Sequence, residues 1–317
     1  MTRSALICGI TGQDGSLLAK HLLALGYKVA GTSRDGEIGR RSNLDRLGIR
    51  DDVTIHAMAT SDFRSIIQTI DRLDINEIYN LSGQSSVGLS FEQPVETMDS
   101  IGGATLTMLE AVRFLGRPVK FYNAGSSECF GDIGDVPATE ETPFRPRSPY
   151  AVAKATAHWT VANYREAYGL FACTGILFNH ESPMRPERFV TQKIARAVHD
   201  IAHGERERLT LGNLDIWRDW GWAAEYVSAM HLMMQQDEPD DYVVCTGNSI
   251  SLREFVAAAF GAVDLDWNEH VDIDEKLFRP TDLKFSKGLA DKARGRLGWS
   301  AELTGGEVAK KLVDALR

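Results

Sequence analysis

Gly9-Ile10-Thr11-Gly12-Gln13-Asp14-Gly15 lies between an apolar run, residues 4–8, and a segment of helix-spaced leucines, residues 15–25. Three glycines between a strand and a helix constrain this chain more than any other feature. They permit a tight turn, close backbone approach to a pyrophosphate, and tight packing of helix on strand. The helix start adds unpaired N–H groups and the positive end of its dipole. Dinucleotide binding is therefore expected at Gly9, Thr11, Gly12, Gln13, Asp14 and Gly15. An unoccupied structural turn is the plainer alternative.

Apolar runs at 28–32, 53–57, 77–81, 119–123 and 174–178 read as further strands, with helical patterns at 63–73 and 105–115 between them. That alternation predicts an α/β protein built on a doubly wound, mostly parallel sheet. Residues 1–178 are expected to form the nucleotide-binding domain, with some later segments returning to it. Residues 179–317 are expected to form mainly a smaller, partly discontinuous substrate lobe. Within it, the polar and proline-bearing stretch 179–187 reads as loop and 190–203 as an amphipathic helix.

Tyr150-Ala151-Val152-Ala153-Lys154 puts a phenol and an ammonium one helical turn apart on one face. The ammonium is expected to lower the phenol's pKa, giving a proton relay for alcohol–ketone interconversion. Ser126-Ser127-Glu128 precedes this pair. A carboxylate near such a relay adds an acid/base group that hydride transfer does not need. The plainer alternative for Glu128 is a salt-bridged loop residue. After the second strand comes Thr32-Ser33-Arg34, where an NAD-preferring sheet presents an acid to the ribose hydroxyls. Arg34 can instead pair with a 2′-phosphate, which favours NADP, unless it is only salt-bridged to Asp35.

The bulk composition sets outer limits. At 43% hydrophobic and 25% charged the 317 residues suit a soluble enzyme with a sizeable core. A net charge of −9 argues against a nucleic-acid partner. Cys8, Cys129, Cys173 and Cys245 are scattered, so neither a disulfide framework nor a zinc site is indicated. The start of the chain shows no signal-peptide pattern, and no apolar run approaches the ~20 residues that span a bilayer. A cytoplasmic location is expected, with no membrane partner.

The GxxGxxG spacing and the Tyr-x-x-x-Lys pair resemble the extended short-chain dehydrogenase/reductases, a Rossmann-type family. GITGQDGSLLA, EIYNLSGQSSVGLSFEQP, PRSPYAVAKATAHW, NYREAYGLFACTGILFNHESP and LGNLDIWRDWG narrow the likeness to the GDP-mannose 4,6-dehydratases, over nearly the whole chain. Related reductases also carry Ser-Ser-Glu, so the GITGQDGS turn and the FNHESP segment discriminate better than Glu128 alone.

That resemblance implies conversion of GDP-mannose to GDP-4-keto-6-deoxymannose with tightly held NADP. Tyr150 and Lys154 would serve oxidation at C4, while Glu128, helped by Ser126, would move the C5 proton to the departing C6 hydroxyl. It further implies cofactor contacts at Leu81, Ser82, Tyr150, Lys154, His180 and Arg185. Substrate contacts would fall to Ser85, Asn179, Lys193, Arg218 and Arg279. The same chemistry on another sugar nucleotide, such as a GDP-heptose, and a 4-keto reductase or epimerase are the alternatives. Family members pair through two long helices, so a homodimer is the minimum expected.

Three departures qualify the likeness. Residues 35–42 insert acids and glycines where the family has an arginine- and serine-rich loop reaching a neighbouring subunit, which puts a tetramer in question. Met58-Ala59-Thr60-Ser61 replaces the usual adenine-holding aspartate, with Asp62 as a substitute. Trp217 and Trp222 replace a common basic residue and histidine, a change that bears on which sugar fits. Core packing is the expected role of at least two of Trp217, Trp220 and Trp222.

Overall fold

The computed structural model describes residues 3–33, 43–278 and 281–316. Its nucleotide-binding part begins with β1 (Ser4–Cys8), α1 (Gln13–Ala24), β2 (Lys28–Ser33), the short α2 (Asn43–Arg46) and β3 (Thr54–Ala57). Then come α3 (Phe63–Leu73), β4 (Glu77–Asn80), α4 (Val87–Glu92), α5 (Pro94–Met98) and α6 (Ala104–Leu115). β5 (Lys120–Ala124), α7 (Pro149–Tyr168) and β6 (Ala172–Leu177) follow. Side chains alternate across the strands. Ala5 and Ile7 of β1 pack on one face with Leu18 and Leu22 of α1. Leu6 and Cys8 pack on the other with Ile66, Met108 and Val161. A sheet buried on both faces needs parallel strands joined by covering helices, and that is what forms.

The later chain supplies β7 (Asn179–Glu181), α8 (Val190–Ala202), β8 (Leu209–Leu211), β9 (Trp217–Trp222) and α9 (Ala223–Met234). β10 (Tyr242–Val244), β11 (Ser249–Ser251), α10 (Leu252–Gly261), β12 (Val271–Ile273) and α11 (Gly305–Asp314) complete it. The main sheet has seven parallel strands in the order β10-β6-β5-β4-β1-β2-β3, so β10 returns to it from the later chain. Two small sheets, β11-β9-β7 and β12-β8, lie in the rest. A separate apolar cluster holds the second lobe together, with Ile194, Val198, Trp220, Phe255, Phe260 and Leu312 at its centre. Capping boxes at Ser251/Glu254 and Thr304/Glu307 fix the starts of α10 and α11.

One local expectation needs correction and another is extended. Residues 179–187, read as loop, begin with β7, which pairs in parallel with β9. The alternation that marks a strand is missing there because His180 and Glu181 are buried as polar, hydrogen-bonded groups. The helix expected at 105–115 is the end of a longer helical path from Pro94 that passes through a π turn at Asp99–Gly103. Gly102 lets that turn press on α7, since a Cβ there would lie 3.2 Å from Cγ2 of Thr156. Ile101 of the turn packs with Tyr150 and Ala153. No described helix is long and apolar enough to cross a membrane.

Candidate active site

The carboxyl ends of β4, β5 and β6 and the start of α1 open onto one cavity of about 500 Å³, which the second lobe walls on its far side. Clefts of this kind are the ligand sites of open α/β sheets. At its nucleotide end the glycine turn is tightly built. Gly9 has φ +83°, and a Cβ on it would lie 2.9 Å from the Leu81 carbonyl oxygen. A Cβ on Gly15 would lie 2.2 Å from the Gly9 carbonyl oxygen. Gly12 caps α1 with no side-chain hydrogen bond, so the first-turn N–H groups keep no side-chain acceptor from the cap. Asp14 lines the cavity, whereas Gly9, Thr11, Gly12, Gln13 and Gly15 shape the turn without lining it. Gln13 is buried: its Nε2 donates to Asp14 Oδ1 (2.9 Å) and to the His180 carbonyl oxygen (3.1 Å), and Ser182 Oγ donates to its Oε1 (2.9 Å).

Ser126, Glu128, Tyr150 and Lys154 all line this cavity. Ser126 ends the extended segment after β5, and its Oγ accepts from the Glu128 N–H (3.3 Å), which fixes the turn that presents the half-buried carboxylate. Ser148 caps α7 through the Ala151 N–H (3.1 Å), with Pro149 in the first turn, so Tyr150 and Lys154 leave one helix face one turn apart. Lys154 Nζ donates to the Ala124 carbonyl oxygen (2.7 Å) and stands 5.8 Å from the Tyr150 ring centroid. Burial drives the lysine down to about 8.

The expected lowering of the Tyr150 phenol is not what the protein's own groups produce. Burial raises it, a hydrogen bond from Ser126 works against that rise, and nearby Cys129 and Glu128 add to it. Desolvation penalises a phenolate as it penalises any charge, and here that outweighs the polar neighbours.

The remaining expected residues divide. Leu81 and Ser82 line the cavity beyond β4, and His180 and Arg185 line it from β7 onward. Arg185 lies 3.4 Å from Glu181 and stacks over Phe189 at 3.9 Å. Ser85, Asn179, Lys193 and Arg218 also line it. Lys193 donates to the Thr210 carbonyl oxygen (2.7 Å), and burial lowers its pKa. Arg218 is buried and ion-paired with Asp282 at 3.0 Å, and it donates to the carbonyl oxygens of Trp217 and Leu283. Arg34 and Arg279 lie outside the described residues.

Asp62 caps α3 through the Arg64 N–H (3.1 Å), a structural task it performs whatever else it binds. Trp217 packs on Phe285, and Trp222 lies beneath Lys311 at 4.6 Å; neither lines the cavity, so those replacements do not reach a bound sugar directly. Trp220 is buried against Phe255 and reaches the cavity edge. Sequence reasoning missed Gln84, Arg188, Phe189, Asn213 and Asp282 as lining residues. Only the pair Arg188–Phe189, directly beyond FNHESP, carried a readable signal: a cation beside an aromatic ring.

A parallel sheet with a glycine turn at β1 and a Ser/Glu/Tyr/Lys group at the mouth of β5 and α7 defines an enzyme of the extended short-chain dehydrogenase/reductase class. The family model described as GDP-mannose 4,6 dehydratase matches residues 6–312. GDP-mannose 4,6 dehydratase 1 of Arabidopsis thaliana is 47% identical over 98% of this chain and 88% of its own length. The Homo sapiens GDP-mannose 4,6 dehydratase is 43% identical over 98% of this chain and 90% of its own. Among solved structures, the UDP-glucose 4-epimerase of Thermus thermophilus in complex with NAD shares the fold, with a TM-score of 0.85 at 24% identity over 98% of each chain. The chain belongs to the GDP-mannose 4,6-dehydratase family, a family of hydro-lyases.

Proposed function

We propose that this protein removes water from GDP-mannose across C5–C6, giving GDP-4-keto-6-deoxymannose, with NADP as its resident cofactor. The observation that carries the reading is the convergence of Ser126, Glu128, Tyr150 and Lys154 on one cavity that also reaches the start of α1. The uncapped start of α1 fits a dinucleotide, and the close Gly9–Leu81 and Gly15–Gly9 backbone approaches, which a Cβ at either glycine would break, hold the turn that presents it. A bound nicotinamide dinucleotide supplies the hydride acceptor and later donor. NADP rather than NAD is read from Arg34, as a partner for a 2′-phosphate.

The chain's own groups handle protons. Tyr150 takes the proton of the C4 hydroxyl, and the Lys154 ammonium is the cation the chain offers the phenolate that must form. Ser126 hydrogen-bonds the tyrosine and steadies the developing carbonyl oxygen. The C4 ketone acidifies the C5 hydrogen. Glu128 accepts that proton and then gives it to the C6 oxygen, which leaves as water; one carboxylate does both because the two sites are on adjacent atoms. Asn179, Lys193, Arg218 and Arg279 supply amide and cationic donors suited to a GDP diphosphate.

A homodimer through the path from Pro94 to Leu115 and α7 is supported by the exposed Val95, Leu106, Val152 and Trp159 on those elements. A cytoplasmic setting suits four unpaired, buried cysteines. Incubation with GDP-mannose followed by product mass tests the proposal: loss of one water is expected. A mass unchanged, or turnover confined to another sugar nucleotide, would reject it, and a reductase or epimerase loses no water.

A further inference from the structure

Asp14 brings a negative charge into a place built for anions. It is the second residue of α1, where the helix dipole and first-turn N–H groups suit a pyrophosphate, and it lines the cavity beside Lys154 and Ser82. A bare carboxylate there would repel the very ligand the turn accommodates. His180 of β7 answers it. Its Nε2 is 2.9 Å from Asp14 Oδ2, and its Nδ1 is 2.7 Å from the Phe178 carbonyl oxygen.

With Asp14 held ionised, both partners are acceptors, and a neutral imidazole has a single N–H to give. Only the imidazolium satisfies both contacts. Its ring is buried and stacks on Tyr226 at 4.6 Å. Gln13 completes the clamp, holding the other Asp14 oxygen and the His180 carbonyl.

We infer that Asp14 and His180 form a standing ion pair that cancels the carboxylate at the start of α1, so that a dinucleotide pyrophosphate binds there, while locking the glycine turn to the segment that carries Asn179. The inference rests on the nicotinamide dinucleotide reading above and goes beyond it by assigning the two residues a joint positioning role rather than separate contacts. The charges that bear on the pair are few. Asp14 faces His180, with Arg185 and Lys154 nearby; His180 faces Asp14 and Tyr226, with Arg185 opposing its charge; and the buried Glu181 carboxyl, next in the chain, interacts with both. Against burial, which works to neutralise both, the two groups hold each other ionised: Asp14 stays at about 2 and His180 is raised.

The test is a four-corner cycle of NADP affinity on cofactor-stripped protein, by calorimetry at fixed salt: wild type, D14N, H180Q and D14N/H180Q. H180Q leaves the carboxylate uncompensated and should weaken NADP about tenfold or more, given the strength of charge pairs at partly buried sites. D14N/H180Q carries neither charge and should recover most of that loss. A double variant as weak as the summed single losses overturns the pair, because additive losses are the mark of sites that act independently. If H180Q fails to fold, the ring ¹⁵N shifts of His180 in the wild-type protein decide: both nitrogens protonated at neutral pH supports the pair, and a neutral tautomer overturns it. Wild type that binds no nicotinamide dinucleotide would overturn the cofactor reading and this inference together; binding without rescue overturns the inference alone.

Discussion

Lys154→Met separates what the active site needs from what the fold prefers. The ammonium is almost fully buried, and its fall from 10.5 to about 8 is the cost of keeping a charge there. At about 1.4 kcal/mol for each tenfold in the proton equilibrium, that fall removes about 3 kcal/mol of stability at neutral pH. Methionine has nearly the same length and no charge to desolvate. It loses the bond to the Ala124 carbonyl oxygen, a loss of about 1–2 kcal/mol for a buried acceptor. The net expectation is a variant more stable than wild type by about 1–2 kcal/mol and without dehydratase activity, a trade of stability for function.

The pH dependence gives the sign a second check. Between about pH 8 and 10.5 the unfolded chain still holds the lysine proton that the folded chain has released. Wild-type stability contributed by this group therefore rises with pH over that window, and the advantage of Lys154→Met shrinks to nothing or reverses. Denaturant unfolding of dinucleotide-free protein at neutral pH and at the top of the window measures both. A variant less stable than wild type by the same amount at both pH values would refute the reasoning, because it would make the ammonium a net stabiliser.

Glu128→Gln keeps size and loses proton transfer, so turnover should fall by about 10²–10⁴-fold while C4 oxidation proceeds. Reduced nicotinamide absorbance should then build up on adding substrate, and normal turnover would end the assigned role. Gly15→Ala forces a Cβ to 2.2 Å from the Gly9 carbonyl oxygen, which should cost at least about 1–3 kcal/mol and weaken dinucleotide binding; unchanged thermal unfolding and affinity would contradict the tight cradle. Arg34→Ala should weaken NADP by about tenfold or more and NAD much less, as side-by-side titrations would reveal; equal losses would dismiss the 2′-phosphate reading. Trp159→Glu places a charge on an exposed aromatic of α7 and should shift sedimentation from dimer to monomer, whereas a dimer persisting at low concentration would move the interface elsewhere.

What was readable in the sequence lies within single elements. The glycine turn, the Tyr150/Lys154 spacing and the two-faced strands each depend on positions a few residues apart, where backbone geometry fixes who meets whom. The Tyr150 pKa was not readable in this way. Its direction depends on how deeply Ile101 and the β5 end bury the ring, and Ile101 arrives from a π turn that no local pattern announced. β7 was missed for the opposite reason: His180 and Glu181, two of its three residues, spend their side chains on polar partners, and the strand shows no alternation.

The FNHESP segment shows why a motif can identify a family before its physics is known. Its residues make sense only against others far along the chain. His180 meets Asp14 across 166 positions, Ser182 meets Gln13 across 169, and Glu181 turns the other way to Thr191 and Arg185. GITGQDGS and FNHESP are thus two halves of one contact, and the aspartate of the first has its charge answered by the histidine of the second. A chain that kept the aspartate without the histidine would leave a carboxylate uncompensated at the start of α1, which costs several kcal/mol where an ion pair is broken from one side, whereas the histidine alone would only lose its proton. Their contact gives a physical reason for the two segments to occur together, which the acid at Glu128 alone does not supply.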